Sequence, residues 1–75
     1  MANSSRAPLS SLANRVYLFT RHFIRDNHYA PSGTEIMTGA SISSHHQVTK
    51  ALHECVQKKW LGRQTGIARA IWLLA

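Results

Sequence analysis

Ser44, His45, His46, Gln47 and Lys50 stand within seven residues of one another and carry hydroxyl, imidazole, amide and ammonium groups, with no carboxylate among them. Presented from a helix, such a set suits the base edges of duplex DNA. Glutamine pairs with adenine, lysine donates to guanine acceptors, and imidazole donates to N7 or to a phosphate. These five are the candidate base contacts, and two serine caps on a plain solvated helix face are the bland alternative. A second set, Ser32, Thr34, Ser43, Arg63, Thr65 and Arg69, suits phosphate oxygens, because it combines guanidinium groups and a hydroxyl near the C-terminal hairpin with hydroxyls near helix starts. Glu54 falls on the same outward face as Lys50, where it could accept from cytosine or pair with Lys50 or Lys58.

The same inventory argues against catalysis. His46, His53 and Cys55 share a helix, but their separations of 7 and 2 do not supply the i, i+4 pair of a helical metal site. Cys55 falls on the apolar face, Asp26, Glu35 and Glu54 are scattered, and there is no Gly-rich phosphate loop. The expectation is no enzyme, no metal, no cofactor and no small-molecule ligand.

The elements that must hold these side chains follow from periodicity. Leu12, Val16, Phe19 and Phe23 recur at spacings of 4, 3 and 4, which predicts a first helix from Ser10 or Ser11 to about Asp26, with Tyr17 and Ile24 widening its apolar stripe. Ser32-Gly33-Thr34-Glu35 has the form of a capping box and opens a short second helix that Thr38-Gly39 stops, glycine tolerating a left-handed terminator. Ala40-Ser41-Ile42 makes the turn. Ser43 or Ser44 caps a third helix whose core face is Val48, Leu52, Cys55 and Val56, leaving His46, Gln47, Lys50, His53, Glu54 and Gln57 outward. Trp60 to Arg63 and Ile67 to Leu73, separated by Gln64-Thr65-Gly66, read as a β-hairpin with Arg69 near its tip in solvent. Trp60, Phe23 and Tyr29 are assigned to the core and Trp72 to the hairpin's edge.

At 75 residues the chain accommodates one hydrophobic core. Residues 1–10, poor in periodicity, are expected to be a flexible arm, and residues 11–75 the folded domain. Nine basic residues against three acidic ones give a formal charge of +6 and a pI near 10.5, which favours a polyanionic partner. No apolar run approaches a membrane span, and the lone Cys55 fits a reducing compartment, so a cytoplasmic, nucleoid-associated address is expected, with no membrane partner.

Helix, short helix, helix and hairpin is the order of a winged helix-turn-helix, so the fold class is mainly α with a small β-hairpin. From about Leu12 to Leu73 the chain also resembles the N-terminal DNA-binding domain of the LexA repressor family. The resemblance rests on Pro31-Ser32 with Glu35-Ile36, then Gly39, Ser43-Ser44, Val48, Leu52, Trp60-Leu61, and Gly66 with Arg69, Ile71 and Leu73. It implies sequence-specific binding of double-stranded DNA by a small bacterial or phage transcriptional regulator, with the third helix in the major groove and the wing on the phosphate backbone. The second helix and its turn are shorter than the family's pattern. No protease-like dimerisation domain is expected to follow, and with it no self-cleavage. Specific binding is expected to need two copies on adjacent half-sites, a homodimer that the DNA alone could assemble. A winged-helix protein-interaction adaptor and an architectural, excisionase-like DNA-binding protein are the alternatives.

Overall fold

The structure, a computed structural model, describes residues 6–75. Five elements follow one another: α1 (Ser11–Asn27), α2 (Gly33–Gly39), α3 (His45–Gln57), β1 (Leu61–Arg63) and β2 (Ile71–Leu73). The two strands pair antiparallel, so the architecture is the three-helix winged helix expected from the element order.

Each helix starts where a side chain satisfies its first backbone donors. The Ser10 hydroxyl accepts from Ala13 N at 3.2 Å, and the Ser10 backbone N–H and hydroxyl both donate to the Glu54 carboxylate of α3, at 2.7 and 2.8 Å. Lys58 Nζ donates to the same carboxylate at 2.9 Å. Glu54 is thereby turned toward the start of α1, where a negative charge complements the helix dipole, and away from the outward face it was expected to share with Lys50. Of its two expected partners it takes Lys58.

At the far end of α1, His28 adopts a left-handed conformation (φ 65°), and its N–H bonds Ile24 O at 2.8 Å. The core then draws Ala13, Val16, Tyr17 and Thr20 from α1, Ile36 from α2, Ile42 from the turn, Val48, Ala51, Leu52 and Cys55 from α3, and Leu61 from β1. The α1 stripe is thus rotated from the expected one. Leu12, Phe19 and Phe23 are only half-buried, because the small Ala13 lets α3 come close enough for Cys55 Sγ to lie 3.5 Å from Ala13 O. Tyr29, expected in the core, is 52% exposed.

Between α2 and α3 the chain turns through Ser41, whose φ of 58° is the left-handed residue of the turn. Arg15 of α1 donates from Nη2 to the carbonyls of Ala40 and Ser41, which holds the turn against the first helix. Gly39 has no positive φ. Its lack of a side chain is needed for another reason: a Cβ there would collide with the ring of Phe19. Gly62 likewise leaves room for the indole of Trp72, its cross-strand partner.

Leu61 pairs with Leu73, Gly62 with Trp72 and Arg63 with Ile71. The second strand begins at Ile71, four residues later than expected, so residues 64–70 form a loop that includes Ile67 and Arg69. Gly66 (φ 87°) and Arg69 (φ 61°) both take left-handed conformations that no strand accommodates.

Of the arm expected over residues 1–10, residues 1–5 lie outside the described residues. Residues 6–8 are hydrogen-bonded to the domain: Arg6 donates to Lys59 O and Leu74 O at 2.9 and 3.0 Å, Trp60 Nε1 to Ala7 O at 2.9 Å, and Lys58 Nζ to Pro8 O at 2.8 Å. Trp60 also stands edge-on to Tyr17, with centroids 5.3 Å apart.

Thr20 is fully buried, and among the described residues its hydroxyl has no hydrogen-bond partner. Replacing it with the near-isosteric valine removes an unsatisfied polar group, so Thr20→Val should raise stability by ~1 kcal/mol, seen as a higher denaturant midpoint at unchanged m. An unchanged or lower midpoint contradicts this.

The Glu54 carboxyl is held down from 4.5 to about 2, first by the Ser10 backbone N–H and then by Lys58 and the Ser10 hydroxyl. Its folded pKa lies below its unfolded one, so the unfolded chain binds more protons across this window. The stabilisation is therefore complete above pH 4.5 and is lost as pH falls toward about 2. Glu35 is also held low and adds to the same acid slope. Glu54→Gln should consequently lower the midpoint at neutral pH and flatten, without abolishing, its fall between those values.

Candidate nucleic-acid interface

The exposed face of α3 is set by its cap. Ser44 is extended, and its hydroxyl accepts from Gln47 N at 3.2 Å. Ser43 Oγ donates to Gln47 Oε1 at 3.1 Å, so the Gln47 side chain reaches back to Ser43. One amide is thereby held at the first turn of the helix, with the donors of Nε2 still to offer. His45, at the first position of α3, lies beside the start of α2: a Cβ on Gly33 would sit 3.9 Å from His45 Nδ1.

From the first turn onward, His46, Thr49, Lys50 and His53 face Arg63 and Thr65 across an open cleft of about 430 Å³. The helix and the wing are its two walls. Of the residues singled out in the sequence, the cleft gathers His46 and Lys50 with Arg63 and Thr65. Ser44, His45 and Gln47 sit at the entrance turn of α3 with Ser43, and Thr34 is exposed on α2.

Thr49 and His53 complete the cleft and were not among the expected contacts. Their signal was present in the spacing, since 46, 49, 50 and 53 follow the i, i+3, i+4, i+7 pattern of one helix face.

Two expected phosphate contacts are engaged elsewhere. The Ser32 hydroxyl accepts from Glu35 N at 3.2 Å and Ser32 N donates to Glu35 Oε1 at 2.9 Å, a complete capping box. Arg69, expected in solvent, folds back onto α2: Nη1 donates to Glu35 Oε1 at 2.7 Å and to Ala30 O at 3.0 Å, and Nη2 to Glu35 Oε2 at 3.1 Å. Its guanidinium also lies 5.0 Å from the centroid of the exposed Tyr29 ring. The Arg69 bond is the main reason the Glu35 carboxyl is held below its usual range, and Glu35 raises Arg69 in turn.

These placements decide the electrostatics of the cleft. Glu35 and Glu54 bond to Arg69 and Lys58, and Asp26 lies 3.9 Å from Arg25 at the end of α1. None of the three carboxylates lines the cleft, whose charged walls are Lys50 and Arg63 with two imidazoles beside them. Cys55 is buried, its thiol pushed up to about 12 by burial, which leaves it without thiolate character at neutral pH. Among the described residues no group of three or more His, Cys, Asp or Glu is placed to hold a metal ion, and no helix is long and apolar enough to cross a membrane.

Three helices, a short hairpin and a basic cleft between the last helix and the wing define a small winged-helix domain. Over 66 residues, 88% of its length, the chain is 38% identical to the LexA repressor of Herpetosiphon aurantiacus. The match covers 31% of that repressor, so the chain spans about a third of the curated relative's length. No family model matches the chain.

Proposed function

We propose that this chain is a transcriptional regulator that binds duplex DNA sequence-specifically, with α3 in the major groove and the wing against the phosphate backbone. The observation that carries this reading is the acid-free cleft in which His46, Thr49, Lys50 and His53 face Arg63 and Thr65. A helix fits the major groove with its first turns nearest the bases, which assigns base contacts to Ser44, His45, His46, Gln47 and Lys50. Ser43, Thr34, Thr65 and Arg63 lie around them for the phosphates, and these contacts supply register and salt-dependent affinity. The similarity to a protein named as a repressor supports the regulatory part.

A second reading is favoured by Trp72 and Leu74, which are 48% and 46% exposed at the hairpin end of the molecule. They suit a protein partner, as in an adaptor, or a second copy of the chain. Light scattering after size exclusion, with and without duplex DNA, separates these: a 1:1 protein complex that blocks DNA binding supports the adaptor.

Selection from a random duplex library should enrich one sequence, and the double variant Gln47→Ala/Lys50→Ala should lose that preference while still binding non-specifically. If no sequence is enriched and the variant binds as the wild type does, base reading by α3 is wrong. With about five phosphates neutralised per monomer, log K against log salt should have a slope near −4 to −5, and Arg63→Ala should make it shallower by ~1.

A further inference from the structure

The wing needs an external support that its own backbone does not provide. Its two strands pair over only three residues each, and the seven-residue loop between them is closed by Gln64 N to Ala70 O at 2.9 Å and Ala70 N to Ile67 O at 3.4 Å. A ladder this short sets a register but leaves the loop's direction open to rotation about the strand ends. Thr65 of this loop and the neighbouring Arg63 make up the wing's wall of the cleft.

From the other end of the loop Arg69 supplies a link to the helices. Its left-handed backbone turns the side chain onto α2, where both terminal nitrogens meet both oxygens of Glu35 and Nη1 also meets Ala30 O. Glu35 is itself fixed, because Oε1 accepts from Ser32 N in the capping box. The path runs from the start of α2 through one carboxylate into the wing, and the planar fork of arginine fits it in a way that lysine does not.

We infer that Arg69 and Glu35 form a latch that orients the wing across the cleft, and that Arg69 is a positioning residue acting through Glu35 and not a phosphate contact. This rests on the DNA-binding reading for its consequence but not for its geometry. A phosphate approaching Arg69 would meet the Glu35 carboxylate already bonded to it, and like charges at that distance repel. The latch holds the wing ready before DNA arrives, which removes an ordering cost from binding.

Glu35→Gln separates the alternatives, since glutamine can still close a capping box but carries no charge for Arg69. Backbone ¹⁵N relaxation without DNA should show residues 64–70 becoming more mobile while α2 is unaffected, and Arg69→Lys should do the same. Affinity for the enriched duplex should fall by about three- to tenfold in both variants, the scale of ordering a mobile interface segment, with the salt slope unchanged.

The latch is overturned if the loop stays as ordered in Glu35→Gln as in the wild type. It is equally overturned if Glu35→Gln binds DNA as tightly as the wild type or more tightly while Arg69→Lys weakens binding, the pattern of a freed phosphate contact. Wild-type protein that binds no duplex sinks the DNA-binding reading alone, and the relaxation measurement still decides the latch.

Discussion

Three carboxylates serve nine lysines and arginines in this chain, and where they sit governs both the fold and the character of its surface. Glu54 closes the start of α1 from the neighbouring α3, and Glu35 closes the start of α2 while holding the wing. Both lie where the positive end of a helix dipole favours a negative charge, and both bridge elements far apart in sequence. With Asp26 beside Arg25 at the end of α1, no acid remains to neutralise Lys50 and Arg63. The basic cleft is therefore a consequence of how the fold is tied together and not only of an excess of cations.

That excess overstates the charge offered to a partner. Arg15 is bonded to the turn before α3, Lys58 to Glu54 and Pro8, Arg6 to Lys59 and Leu74, and Arg69 to α2. In a chain with so small a core, these side chains fasten turns and termini that apolar contacts alone leave loose. Tyr17 does the same near the C-terminal end, where its hydroxyl donates to Ala75 O at 3.0 Å. A net charge of +6 is thus a starting point, and the geometry decides which cations face a groove.

What was legible in the sequence is local. Caps at Ser32 and Ser44, the helical spacing of the apolar residues of α1 and that of Val48, Leu52 and Cys55 depend on near neighbours, and they placed the three helices and the polar face of α3. The misses are all non-local. Ile67 and Ala68 look like strand residues, but a pairing between Arg69 and Glu35, 34 positions apart, holds that stretch in a turn. Tyr29 has the composition of a core residue and instead stands under that guanidinium, edge-on to Phe23 at 5.6 Å. Gly39 reads as a residue chosen for its backbone freedom, whereas the structure uses the space it leaves for Phe19.

The candidate site divides along the same line, and for a physical reason. Side chains on one rigid helix keep fixed spacings, so His46, Thr49, Lys50 and His53 share a face whatever the rest of the chain does. The wing has no such guarantee, because three strand pairs and a seven-residue loop leave its direction undetermined until something outside the hairpin fixes it. A two-walled cleft in so short a chain requires a contact of long sequence separation. The structure provides one at the helix start already stabilised by the same carboxylate, so Glu35 serves the element that precedes α3 and the loop that faces it. Replacing that carboxylate by an uncharged amide that still closes the helix start therefore acts on the wing's wall of the cleft alone, without touching any residue that lines it.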